Sequence, residues 1–540
     1  MILSLALLLA VTPQAQERAA VSRITAAEIS GHLRFLADDQ LEGRKPGQPG
    51  SDLAIKYLAS QLEAFGLKPG GDDGTFLQAV PLIELRADVP REVHFSAGGK
   101  DVALSALGGT AADLVLEPNA HIDRATVKDA PVVFVGYGIT APEYGWDDYK
   151  DVDVRGKIVA IMNFNPPFKG PGVRLWYGRW DYKYENASRH GAAGAFVIHT
   201  TASAGYPWQV LANRADGTHQ DLPPSPAEPR SMQFQGWIAD AAAIKLAQAG
   251  GQELEALRKA AESRDFRPQS LGSTLSLDMA ITRTQIRSFN VIGILPGRDA
   301  ELSKEAVLYT AHHDHLGKST PPPGTNDGIY NGALDNASGC ATVLTIAHAA
   351  AAAPPKRSMI IAFVTAEEQG LLGSKWLAQH PPIPANRIAA DINLDSVNRW
   401  GRTTDLGVLG LGKSTTDEVV RKAAAEQRRT VHGDPYPDRG AFYRSDMFPL
   451  ARVGVPPVVV KGGPEFEGRP KGWGDEQMLD YERKHYHQPS DEYHGDWDLS
   501  GAVQDAQLQL TVGLRIANAP HMPSWTPGDE FEAARKSASR

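Results

Sequence analysis

The chain has 540 residues, 42% of them hydrophobic and 22% charged, with 52 glycines, 38 prolines and a formal net charge of −9. This composition excludes global disorder and supplies no broad cationic surface for nucleic acid, and the length leads to an expectation of two domains, one of them discontinuous. A single cysteine, Cys340, excludes an intramolecular disulfide and a four-thiolate zinc site, so stability must come from core burial, metal binding or assembly into a homo-oligomer.

The opening MILSLALLLAVTPQAQ has an apolar run, Ile2 to Val11, too short to span a bilayer and followed by small and polar residues. It reads as a secretory leader cleaved near Ala15, although no Lys or Arg precedes the run; periplasmic and extracellular destinations both fit, with no membrane span left after removal. TAAEISGHLRFLADDQ and GSDLAIKYLASQLEAFG carry apolar residues at helical spacing and predict two amphipathic helices. From about residue 90 to 262 the texture changes. PVVFVGYGI, RGKIVAIMNF and GAAGAFVIHT are short strand candidates between Gly, Pro, Asn and Asp, the pattern of a β-rich insertion. Within it, Trp146, Asp147 and Asp148 are expected in an exposed turn.

From residue 305 onward, apolar strands alternate with helices: EAVLYTAH, then ASGCATVLTIAHAAAA, KRSMIIAFVTAEE, GLLGSKWLAQH and RIAADINLD. Near-continuous apolar strands in this order predict an α/β fold with a mostly parallel or mixed sheet covered by helices on both faces. Such sheets place their chemistry beyond the C-terminal strand ends. His312, Glu367, Glu368 and Asp395 each follow one of these strands, so separate strand ends can deliver metal-binding or acid–base groups to one crevice. Imidazole and carboxylate are suitable zinc ligands. Taken alone, His312–His313–Asp314 would equally be a solvated loop, Glu367–Glu368 solvated charge, and Asp335 a turn or helix cap in LDNASG. Cys340 lies in an apolar helix and reads as a small core residue rather than a nucleophile. HExxH is absent, and GLGKSTTDE at 410–418 does not satisfy the phosphate-loop pattern.

Together AHHDHLG, NGALDNASG, TAEEQGLLGS, NLD and YHQPSDEY, spread over about residues 305–495, resemble the M28 family of zinc metallopeptidases, especially its secreted aminopeptidase-like members. VFVGYGI, RGKIVAI and GAAGAFVI resemble the protease-associated (PA) domain that some members carry as an insertion. With a leader expected over residues 1–15 and a flexible tail over 526–540, the resemblance implies a catalytic domain built from 16–89 and 263–525 and an inserted PA-like domain over 90–262.

It further implies two Zn²⁺ ions per chain. His312 would bind one of them with Asp314 orienting it, Asp335 would bridge both, and Glu368, Asp395 and His487 would complete the protein ligands. Glu367 would act as general base. Asp491 is expected to orient His487 or to stabilise its loop, and Tyr443 to donate to an oxyanion or simply to pack. The family's SDH is SDM here, with Met447 in place of histidine, which points to altered pocket packing or specificity. The implied activity is release of N-terminal residues from peptide substrates. A carboxypeptidase-like or aminoacylase-like amide hydrolase, or a noncatalytic binding protein, are the alternatives.

Overall fold

A computed structural model describes residues 13–106, 112–120, 122–212, 217–224, 232–321 and 324–538. The apolar run Ile2 to Val11 lies outside the described residues. The chain divides into two compact units: Met1–Val80, Arg287–Pro435 and Arg444–Arg540 form the first, and Pro81–Ile286 with Tyr436–Tyr443 form the second. Among the described residues, no helix is long and apolar enough to cross a membrane.

The first unit is built on a mixed sheet. Its central strands Ser358–Val364, Ala306–His312, Ile388–Asn393 and Pro457–Gly462 run parallel in that spatial order. The C-terminal end of Gln269–Leu295 pairs antiparallel on one side, and Asp405–Leu409, followed by Thr430–Gly433, closes the other. Every residue of Ala306–His312, Ser358–Val364 and Ile388–Asn393 is buried, which explains why these strands read as continuous apolar runs: a parallel strand covered on both faces has no solvated side.

Alternate strand residues feed two cores. Val307, Tyr309, Met359, Ile361 and Phe363 join Leu33, Leu58, Leu344 and Leu510 from the helices Ala26–Leu36, Pro49–Ala64, Ser338–Ala351 and Ser500–Asn518. Ala306, Leu308, Ile360 and Val364 face the other way, onto Leu377 of Leu372–Gln379 and Leu450 of Met447–Arg452. The sheet is therefore sandwiched between helices, as expected. Cys340 is fully buried on Ser338–Ala351, also as expected. Residues 526–538, expected as a flexible tail, are instead docked. Phe531 is buried and Arg535 donates to the carbonyls of Ala385 and Ile388, both at 2.9 Å.

The second unit has more antiparallel pairing. Glu92–Ala97 alternates exposed and buried residues and pairs with Lys100–Ser105 and with the N-terminal half of Gln269–Leu295. Ile158–Met162, Gly194–His199 and Phe234–Ala239 run parallel beside it and supply a core that includes Ile158, Phe196, Phe234 and Leu275. Residues 146–148 are not the exposed turn expected: Trp146 and Asp148 are buried, and the Asp148 carboxylate accepts from the Ile139 amide at 3.0 Å. Desolvation is the reason its carboxyl is pushed up to about 7. The segment 436–443 was not foreseen in this unit. Arg174 holds it, donating its amide N–H to the Pro437 carbonyl and its Nε to the Asp438 carbonyl.

One contact sets how closely a helix approaches the His312 strand. A Cβ at Gly513 would lie 1.9 Å from the Tyr309 hydroxyl, which donates to the Gln509 carbonyl at 3.1 Å. Gly513→Ala is expected to cost about 1–3 kcal/mol of stability through overpacking, read as a lowered urea midpoint with unchanged slope.

Candidate metal centre

The loops that leave the parallel strands converge. His312 is the last residue of its strand, Glu367 and Glu368 follow Val364 by three and four positions, and Asp395 follows Asn393 by two. Asp335 precedes the helix Ser338–Ala351, and His487 lies in the turn after Trp473–Lys484 with a left-handed φ of 55°. These side chains meet. His312 Nε2 lies 3.2 Å from Asp335 Oδ1 and 3.8 Å from Asp395 Oδ1, while His487 Nε2 lies 3.3 Å from Asp335 Oδ2 and 3.1 Å from Glu368 Oε2.

Two donor groups result, His312–Asp335–Asp395 and His315–Asp335–Glu368, and they share Asp335. Each carboxylate oxygen of Asp335 faces a different side, the arrangement a bridging ligand needs. The donor chemistry fits a pair of divalent cations. Both imidazole nitrogens of His315 and Oε1 of Glu368 are buried without hydrogen-bond partners among the described residues, a costly state unless something else accepts their lone pairs.

Buried charge dominates the electrostatics. Burial alone would lower the His312 imidazole, but Glu367, Asp335 and Asp395 overcome it and hold the group well above its usual value. Burial likewise opposes protonation of His487, yet Glu368 and Asp335 raise it to about 9. Glu367 moves oppositely to its neighbour. Desolvation, reinforced by Glu368, Asp446 and Asp395, drives its carboxyl well above the carboxylate range, whereas histidines overcome desolvation at Glu368 and pull it down. The crowded carboxylates make the site one that demands positive charge.

Supporting contacts fix the loops. Asp314 is fully buried, and its carboxylate accepts from the amides of Glu367 at 3.1 Å and Glu368 at 3.4 Å. The nearest partner of His312 Nδ1 is the Asp314 main-chain carbonyl at 3.2 Å, with a carboxylate oxygen 3.8 Å away. Asp491 accepts from the amides of Leu334 and Asp335, both at 3.1 Å, and from the Tyr481 hydroxyl at 3.2 Å, so its carboxylate orients the Asp335 loop. Tyr443 is buried edge-on against Phe442 within the second unit. Met447 is fully buried at the start of its helix.

Four further residues were missed by sequence reasoning. Asn336 ties two ligand loops together: its Oδ1 accepts from the Gly339 and Ser396 amides at 3.0 Å and its Nδ2 donates to the Leu394 carbonyl at 2.9 Å. Ser445 donates to Asp395 Oδ2 at 2.9 Å. Arg44, fully buried, donates to the carbonyls of Leu36, His313, Asn331 and Gly332 at 2.5–3.0 Å, bolting the loops around His312 and Asp335 to the N-terminal segment. His315 stands 2.7 Å from Glu368. Asn336 and Ser445 sit within the quoted motifs and were open to notice; Arg44 lies some 270 residues away in LEGRKPG, with no local signal.

Comparison with known proteins agrees with this centre. Residues 290–511 match Peptidase family M28. The matched stretch contains every metal-ligand candidate named from the sequence. A vacuolar membrane protease of Yarrowia lipolytica is 32% identical over 132 residues, 23% of this chain and 12% of that protein. A probable zinc metalloprotease of Pyrenophora teres f. teres is 39% identical over 135 residues, 24% of this chain and 29% of its own. The chain thus spans less than a third of the length of these curated relatives. Among solved structures, an aminopeptidase from Aneurinibacillus sp. strain AM-1 aligns over 95% of this chain and 98% of its own at 18% identity and a TM-score of 0.52, a shared fold.

If Asp335 serves both donor groups, Asp335→Asn is expected to remove both ions together rather than one. Metal content by mass spectrometry after dialysis, beside a circular dichroism spectrum to establish folding, checks this; retention of one full equivalent would contradict it.

Proposed function

We propose that this chain is an exported dizinc aminopeptidase that releases N-terminal residues from peptides. The observation that carries the reading is the pair of donor groups sharing Asp335, with Glu367 beside the ligand Glu368 but turned to a different electrostatic fate. The aminopeptidase named for the Aneurinibacillus structure and the zinc metalloprotease of Pyrenophora give the same direction. The second unit is proposed as a PA-like insertion, and the leader over residues 1–15 as the export signal.

His312 and Asp395 would hold one ion, Glu368 and His487 the other, and Asp335 both. When bound, the two cations would lower the pKa of water and polarise the scissile carbonyl. This chain's own contribution is placement and proton handling. Asp314 fixes the main chain of both glutamates, so the Glu368 carboxylate is held at the ligands while Glu367 stays half-buried, its carboxylate free of hydrogen bonds from the described residues. A carboxyl whose affinity for a proton is raised by burial and neighbouring carboxylates is suited to take a proton from the attacking water and return it to the departing amine. Ser445 restrains Asp395.

Glu367→Gln is expected to lower kcat by about 10²–10⁴-fold, the usual worth of a general base, with metal content retained; turnover near the wild-type rate would remove Glu367 from that role. Aminoacyl anilides with a free α-amine should be cleaved, and their N-acetylated forms should not. Cleavage of the blocked substrates alone would reject the aminopeptidase reading.

A further inference from the structure

The His315 side chain is 0% exposed at the centre of the site, yet neither of its ring nitrogens has a hydrogen-bond partner among the described residues. Its Nδ1 lies 2.7 Å from Glu368 Oε1, which is also without a partner. At that separation a hydrogen bond would form if the N–H pointed at the oxygen. The pair does not meet the geometry of a hydrogen bond, and His315, Glu368 and Asp335 each offer one donor atom within 4.8 Å of the others, a spacing that suits ligands around one ion.

The other oxygen of Glu368 faces His487 Nε2 at 3.1 Å, and the His315 and His487 rings meet edge to face with centroids 5.7 Å apart. Glu368 is therefore flanked by an imidazole on each side. Gly332 makes room for the ring: a Cβ there would fall 2.5 Å from His315 Cγ and 2.6 Å from Cδ2, at a left-handed φ of 54°. The residue next to Gly332 is Asn331, and Arg44 holds the carbonyls of both, so the ring's pocket is rigidly built.

We infer that His315 is a sixth protein ligand, so that one ion is gripped by four side chains (His315, His487, Glu368 and Asp335) and the other by three (His312, Asp335 and Asp395). This rests on the dimetal reading above. Four protein donors is the complement of a closed structural zinc site, and three leaves a position open to water or substrate, as catalytic zinc sites do. The two ions then have different tasks. His315, His487, Glu368 and Asp335 would fill the coordination of one ion, whereas His312, Asp335 and Asp395 would leave a position for a substrate oxygen on the other.

The test measures metal, not turnover. Zinc is titrated into the apo full-length protein against a competing chromophoric chelator, for wild type, His315→Ala and His315→Asn, with circular dichroism of each apo form. The wild type is expected to bind two ions of unequal affinity, and both variants to weaken the tighter one by at least about tenfold, as even an outer-shell partner of a zinc ligand is worth that much. Unchanged tight binding in both variants would overturn the inference while leaving the dimetal reading intact. A wild type that binds a single ion would defeat the dimetal reading instead, and the fate of that ion in the variants would still decide the role of His315. X-ray absorption of zinc-loaded wild type decides it without any variant: imidazole scattering averaged from three histidines over two ions supports the ligand, and from two histidines excludes it.

Discussion

Like charges forced together are the constraint around which this fold is arranged. Asp335, Glu367, Glu368 and Asp395 are carried to one place by loops from different strands, in surroundings where burial makes every uncompensated carboxylate expensive. The same carboxylates raise the imidazoles of His312 and His487 above their usual values, against the effect of burial. A pair of divalent cations would satisfy the same demand more fully and would free the imidazoles to act as neutral ligands. The geometry is thus one that binding can complete, over a main chain that is tied down.

That tie is made by groups that never reach the ions. Asp314 and Asp491, both with their oxygens turned to main-chain amides, hold the glutamate pair and the Asp335 loop respectively. Arg44 spends its whole guanidinium on carbonyls of the loops on either side. Each of these buried charges is stabilised by several dipoles rather than by a single opposite charge, which restrains position in more than one direction. The sheet supplies the other half of the rigidity: its central strands are buried along their full length, so their C-terminal ends are defined before any loop begins.

How much of this could be read beforehand follows from the range of the forces involved. The helix-covered sheet was legible because a doubly buried strand writes itself as a run such as AVLYTA or MIIAFV; His312, Glu368 and Asp395 stand at the ends of those runs, whereas Asp335 and His487 were named only through the resemblance to the M28 family. The contact partners of Asp314 and Asp491 were only partly foreseen, since proximity in sequence to a histidine suggested the imidazole, whereas the unpaired amides nearby were the stronger claim on a carboxylate. Arg44, the docking of Phe531 and Arg535, and the residence of 436–443 with the second unit were not legible at all: each depends on a contact between stretches far apart in the chain, with no periodicity or motif at either end. His315 was visible but mute, because three histidines in four positions give no sign of which rings face inward.

Asn336 has a consequence for how such a centre can change. Because one amide side chain spans the stretch after Asp335 and the stretch around Asp395, a shift in either loop is transmitted to the other through bonds of 2.9–3.0 Å, and Gly339 leaves no slack, since a methyl group there would sit 2.1 Å from Asn336 Oδ1. Substitutions that retune one half of the centre will therefore drag the opposite half with them. Diversification of substrate preference has an easier route through the walls of the cleft than through the cradle that holds the charge.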